Sequence, residues 1–141
     1  MTENKGFQFD DNFSFDRKKA VGTYTKVISL TADNVDSIVV TAFEGGVNYW
    51  CGVKRNEAFA DKPSNVPAST WITHCLLEGK EIVLYDKEET EEDVTLTLEK
   101  LLTGVSLNSE KRPHDSDLEN MDADTADSII QYAVFGKLVF G

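Results

Sequence analysis

Residues 80–97 constrain this chain most. KEIVLYD (80–86) is dense in aliphatic and β-branched residues, VTLT (94–97) is a second such run, and DKEETEED (86–93) between them carries six acids around one lysine. Side chains of this kind suit a pleated, half-buried surface. The two runs are therefore expected to pair as a hairpin around a charged turn, with 80–86 as a buried strand. A lone two-stranded hairpin is marginal in water, so the rest of the chain must cover it.

That cover is written mainly in helical periods. Thr31 or Asp33 can cap a helix carrying Ile38, Val39, Ala42 and Phe43 on one face, stopped by Gly45-Gly46. Its β-branched residues lower helix propensity, so packing must hold it. Ser69 is expected to cap a second helix with Trp71, Ile72, Cys75 and Leu76 on one face and Gly79 at its end. LEKLLTGV (98–105) has Leu98, Leu101, Leu102 and Val105 at helical spacing, and DADTADSIIQYAVFG (122–136) reads as a capped helix ending at Gly136, with KLVFG as a short strand or tail. Strands are expected in 1–20, where Phe7, Phe9, Phe13 and Phe15 alternate loosely with polar residues, and most clearly in VGTYTKVISL (21–30). VNYWCGVKR (47–55) is a strand or loop, 56–68 with Pro63 and Pro67 is a loop, and 106–121 lacks periodicity and reads as a mobile acidic loop. Interspersed elements over 141 residues imply one α+β domain spanning 1–141, with a small antiparallel or mixed sheet and three to four packed helices.

Charge narrows the partners. With 14 basic and 25 acidic residues the net charge is −11 and the pI about 4.5, so unaided binding to nucleic acid or anionic membrane is disfavoured. The imbalance is local: residues 1–62 hold 8 basic and 9 acidic residues, and 63–141 hold 6 and 16. No apolar run is long enough to span a bilayer. The N-terminus shows no secretory signal, so a cytoplasmic location is expected, with Cys51 and Cys75 reduced. Cys75 falls in the apolar pattern of a helix, whereas Cys51 is buried or half exposed. His74 and His114 with the two cysteines lack zinc spacing, so no metal and no cofactor are expected. No nucleophile, phosphate-binding or dinucleotide motif is present, and a Cys51 pairing with either histidine is not fixed by sequence, so no catalytic residue is assigned and an enzyme is not expected.

The acids themselves admit three readings. They are a solvated turn and a helix N-terminus complementing the macrodipole; or a calcium loop, which fails because Asn120 and Ala126 stand where Gly and Glu are needed; or a phosphate mimic that docks in a basic channel. The third makes Asp86, Glu88, Glu89, Glu91, Glu92 and Asp93, with Asp115, Asp117, Glu119, Asp122 and Asp124, the candidate partner-binding acids. In EGGVNYW (44–50), the two glycines are expected to leave a helix with positive φ. Tyr49 and Trp50 then follow as candidate aromatic anchors, or as core residues after a helix cap. DSIVVTAFEGGV (36–47) also lines up with DSIIQYAVFGKL (127–138), either as a duplicated unit or as two helices sharing an Asp start and Gly stop.

TAFEGGVNYWC (41–51), EIVLYD (81–86) and DADTADSIIQYAVFGKLVFG (122–141) together resemble a family of small acidic proteins of phages, prophages and mobile elements, and are similar to type II-A anti-CRISPR proteins. The resemblance covers most of residues 25–141 and is weakest at 53–66 and 106–120. It implies an anti-defence protein that binds a host nucleic-acid-targeting effector, Cas9 with its guide RNA being the first candidate. It carries over no catalytic residue. The rival expectation is a module sequestering a signalling nucleotide, for which Arg17-Lys18-Lys19 and Lys54-Arg55 are the available cation clusters. A phage accessory enzyme is a third.

Overall fold

The sheet is built from β1 (Cys51–Val53), β2 (Ile82–Asp86) and β3 (Val94–Leu96), antiparallel and in that spatial order. This is a computed structural model describing residues 14–141. The expected hairpin forms as β2–β3, with Val83 opposite Thr95, and β1 joins the other side of β2 with Gly52 opposite Tyr85. Along β2, Ile82, Leu84 and Asp86 are buried while Val83 and Tyr85 face outward, so this strand is covered on one face only. That alternation is the signature of a sheet with helices on one side.

Among the described residues four α-helices complete an α+β fold. α1 (Ala32–Thr41) starts at a Thr31–Asn34 capping box and continues through a π-helical turn, Ala42–Gly46. α2 spans Ala68–Leu77, α3 Leu98–Lys111 and α4 Ala123–Phe135. Ile38, Val39, Trp50, Ile72, Leu76, Ile82, Leu84, Leu96, Leu101, Ile129 and Ile130 are essentially inaccessible and form one core between helices and sheet. α3 and α4 cross closely at Gly104, where any larger residue would meet the Ile129 carbonyl. No helix among the described residues is long and apolar enough to cross a membrane.

Several expectations are corrected. VGTYTKVISL (21–30) is no strand: Val21, Tyr24, Val27 and Ile28 are 96%, 90%, 92% and 72% exposed, and the segment lies outside the sheet. β-branched residues favour a strand only where there is a surface to pack on, and the described body offers this segment none. Ser69 does not cap α2; Pro67 occupies the cap, and the Ser69 hydroxyl donates to Glu44 at 2.5 Å. Residues 106–111 belong to α3, whose last turns bury Asn108 instead of an apolar residue and so break the period. Gly45 and Gly46 lie in the π-helical turn and neither has a positive φ, whereas Gly136 is left-handed at φ 74°. Residues 112–121 form two 3-10 turns, and the last five residues form a tail rather than a strand. Of the aromatic alternation at the N-terminus, Phe7, Phe9 and Phe13 lie outside the described residues. Within 14–20 no strand forms; Asp16–Lys19 make a turn, with the Arg17 guanidinium 4.6 Å from the Phe15 ring centre.

Candidate functional site

The first acidic cluster is a preformed loop. Asp86, at the end of β2, is 5% exposed and turns its carboxylate inward. It accepts from the backbone N–H groups of Glu88, Thr90 and Glu91 and from the Thr90 hydroxyl. Desolvation pushes the Asp86 carboxyl up, but these four donors together outweigh it and hold its pKa below the usual carboxylate value. Asp86 is thus the anchor of the turn and does not face a partner, which corrects its expected role. The turn includes Glu89 at φ 57°, a left-handed conformation uncommon for glutamate. Glu88, Glu89, Glu91 and Glu92 are left exposed, and Asp93 pairs with Lys54 at 2.5 Å. Lys87 reaches back to the Asn48 carbonyl at 2.7 Å, tying the loop to the segment before β1.

The second cluster is mostly consumed locally. Asp115 pairs with Arg112 at 2.5 Å and accepts from the Thr125 hydroxyl. Asp117 caps the turn at Leu118–Asn120, and Asp122 caps α4 through Thr125. Those hydrogen bonds, to Asn120 and Glu119 for Asp117 and to Thr125 for Asp122, lower both pKa values. Glu119 and Asp124 are exposed. The cation clusters proposed for a nucleotide are no more converged: Lys54 is held by Asp93, and Arg55 lies over the Phe59 ring.

The expected aromatic anchors split. Trp50 is fully buried, stacked on Phe140 with ring centres 4.8 Å apart and tilted against Phe135 at 5.5 Å, so it is a core residue and not a surface anchor. Its indole N–H needs an acceptor in the interior, and Asp127 of α4 supplies one at 2.8 Å. Tyr49, 51% exposed, donates its hydroxyl to the other Asp127 oxygen at 2.6 Å. Desolvation and then the Asp127 carboxylate raise the Tyr49 phenol well above its ordinary pKa. Gln131, one turn along α4, donates to Asp127 at 2.9 Å and accepts from the backbone N–H groups of Val139 and Phe140. Asn-Tyr-Trp, Asp127, Gln131 and the C-terminal tail therefore form one network. Asp127 and Gln131 were not singled out from sequence as a pair; two polar residues four apart inside an apolar helix are the signal that marks them.

Gly46 belongs to the same junction. A methyl there would lie 2.5 Å from the Ala123 carbonyl oxygen, so the π-helical turn and the start of α4 touch backbone to backbone. Gly45, the residue that aligns with Gly136, lies in the π-helical turn without a positive φ, whereas Gly136 is a left-handed cap, so the shared glycine of the two similar segments does unlike work. Among the described residues no group of three or more His, Cys, Asp or Glu is placed to hold a metal ion. Both cysteines are free and buried, and burial first of all pushes the Cys51 thiol up to about 12. A scan of family models finds no match for this chain, and neither do comparisons with curated proteins and with solved structures.

Proposed function

We propose that this protein is an anti-defence inhibitor of a phage or mobile element, acting in the cytoplasm of a bacterial host. It would bind a host nucleic-acid-targeting effector directly, with Cas9 carrying its guide RNA as the first candidate. The observation that carries this reading is the hairpin loop, where Glu88, Glu89, Glu91 and Glu92 stand exposed on a turn that Asp86 holds in shape. A turn whose backbone is already ordered loses little conformational freedom on docking, and a basic nucleic-acid channel is the surface complementary to its exposed carboxylates. Such channels in Cas9-type effectors hold a guide–target heteroduplex and read a short motif with arginines. Exposed Tyr49, with Glu119 and Asp124, extends the candidate contact set. The proposal involves no cofactor, metal or chemical step.

The test is a Cas9 cleavage assay beside a DNA-binding shift, each with guide-loaded and guide-free enzyme at low and moderate salt. Inhibition of both, weakening with salt, supports occupation of the DNA site. Inhibition of cleavage alone points to a blocked nuclease-domain movement. No effect on either removes Cas9 as the partner.

A further inference from the structure

The segment that fails to become a strand is the most unusual surface of the molecule. Residues 20–30 have no regular secondary structure, are solvent-exposed up to Ser29 and rich in β-branched residues, and among the described residues they make no hydrogen bond with the body. The arm is also charged oppositely to the body it leaves. Residues 14–30 hold four basic residues and one acid, net +3, whereas 31–141 hold 9 basic and 21 acidic, net −12.

The sheet has a matching vacancy. Lys54 N–H donates to the Val83 carbonyl and Lys87 N–H to the Trp50 carbonyl, so residues 50, 52 and 54 point their backbone groups at β2. By the alternation of an antiparallel ladder, those of Cys51 and Val53 point away. The Cys51 N–H is taken by Val47 and Cys51 is buried, so the open part of this edge is Val53, whose N–H and carbonyl have no hydrogen bond among the described residues. A cleft lined by Phe43, Gly52, Val53, Pro67 and Ser69 runs along this edge. The opposite edge is guarded, because the Lys100 ammonium sits on the Thr95 carbonyl at 3.0 Å.

We propose that residues 20–30 of one chain add as a strand to the β1 edge of a second copy, reciprocally, giving a two-fold dimer. Such exchange uses backbone pairing for affinity and satisfies the open edge. The chain's own edge is the poorer target. α1 and its π-helical turn form a 15-residue rod from Ala32 to Gly46, about 20 Å long, and the arm is rooted at its far end. Folding back would spend residues 24–30 as a crossing and leave the β-branched stretch unpaired. A second copy also brings the −12 body to the +3 arm.

Sedimentation velocity on the full chain, from micromolar to millimolar concentration, tests this. A monomer–dimer equilibrium is expected, weakened by salt. Thr25→Pro removes a ladder donor at an exposed position that makes no hydrogen bond, so it leaves the fold intact and is expected to raise the dimer dissociation constant roughly tenfold or more. A bis-maleimide should then join a Val27→Cys chain to an Arg55→Cys chain in a mixture, locating the arm beside β1 of the other copy. A chain monomeric throughout, or a cross-link formed only within a Val27→Cys/Arg55→Cys chain, would overturn the proposal. So would a monomer that captures single-stranded oligonucleotide through Arg17, Lys18, Lys19 and Lys26.

Discussion

Trp50 donates its indole N–H to Asp127 across 77 residues of sequence, and the bond fixes the turn before β1 against the last helix. Asp127 is 8% exposed, so its charge is compensated by the donors that converge on it from Tyr49, Trp50 and Gln131. Asp127→Ala leaves a buried indole N–H unsatisfied and is expected to cost about 3 kcal/mol. Tyr49→Phe removes a bond at a half-exposed hydroxyl and should cost about 1 kcal/mol. Urea midpoints measure both, and equal shifts would show that the network is not centred on Asp127.

The neighbouring glycines make a sharper comparison. A methyl at Gly46 meets the Ala123 carbonyl at 2.5 Å, while one at Gly45 meets nothing within 4 Å. Gly46→Ala must push α4 off the π-helical turn and is expected to destabilise by about 2 kcal/mol. Gly45→Ala, in helical backbone, should be neutral or stabilise by roughly half a kcal/mol. Thermal denaturation of the pair decides, and a reversed order would place the tight contact at the wrong glycine.

The same pair shows what the sequence could and could not say. Periodicity and caps located the hairpin and all four helices, because Thr31, Asp122, Gly79 and Gly136 signal locally. Double glycine signals only that something is unusual; whether it serves φ or close approach depends on Ala123, far along the chain. Trp50 was ambiguous for a like reason, since its burial rests on Phe140 and its acceptor on Asp127. The 21–30 segment failed in the opposite sense: its propensity is that of a strand, but its partner is not among its own described neighbours.

Cys51 links burial to alkaline stability. The unfolded thiol titrates near 9.0 and the folded one near 12, so the folded state binds more protons between those values. This contribution is fully present below pH 9 and is lost as pH rises towards 12, with the raised Tyr49 phenol acting in the same direction. Denaturant midpoints should therefore fall across that window, less so in Cys51→Ala. In the native protein at pH 8, thiol reagents should label Cys51 only as fast as the fold opens. Immediate labelling would contradict the buried position.

The acid limb has the opposite sign. Asp86, Asp117 and Asp122 all have folded pKa values below 3.8, so the unfolded chain binds more protons as pH falls through that region. Their stabilisation is complete above about pH 5 and lost progressively below 3.8. Asp86→Asn is expected to lower stability at neutral pH and to flatten this acid dependence, seen as converging urea midpoints for variant and wild type near pH 2. Parallel curves would mean that the turn does not depend on the Asp86 charge.

The exposed glutamates of the same loop should behave differently. Replacing Glu88, Glu89, Glu91 and Glu92 together by Gln removes four charges that have no assigned internal partner, so the thermal midpoint should move by only a few degrees. Association with a basic effector should nevertheless slow by about tenfold at low salt, and its salt dependence should flatten. Stopped-flow association with Cas9 at two salt concentrations reads both quantities, with Asp86→Asn run alongside it. A variant that keeps its fold and the wild-type rate would remove the loop as the docking surface, whereas a slow rate in Asp86→Asn alone would show that the shape of the turn matters more than its charge.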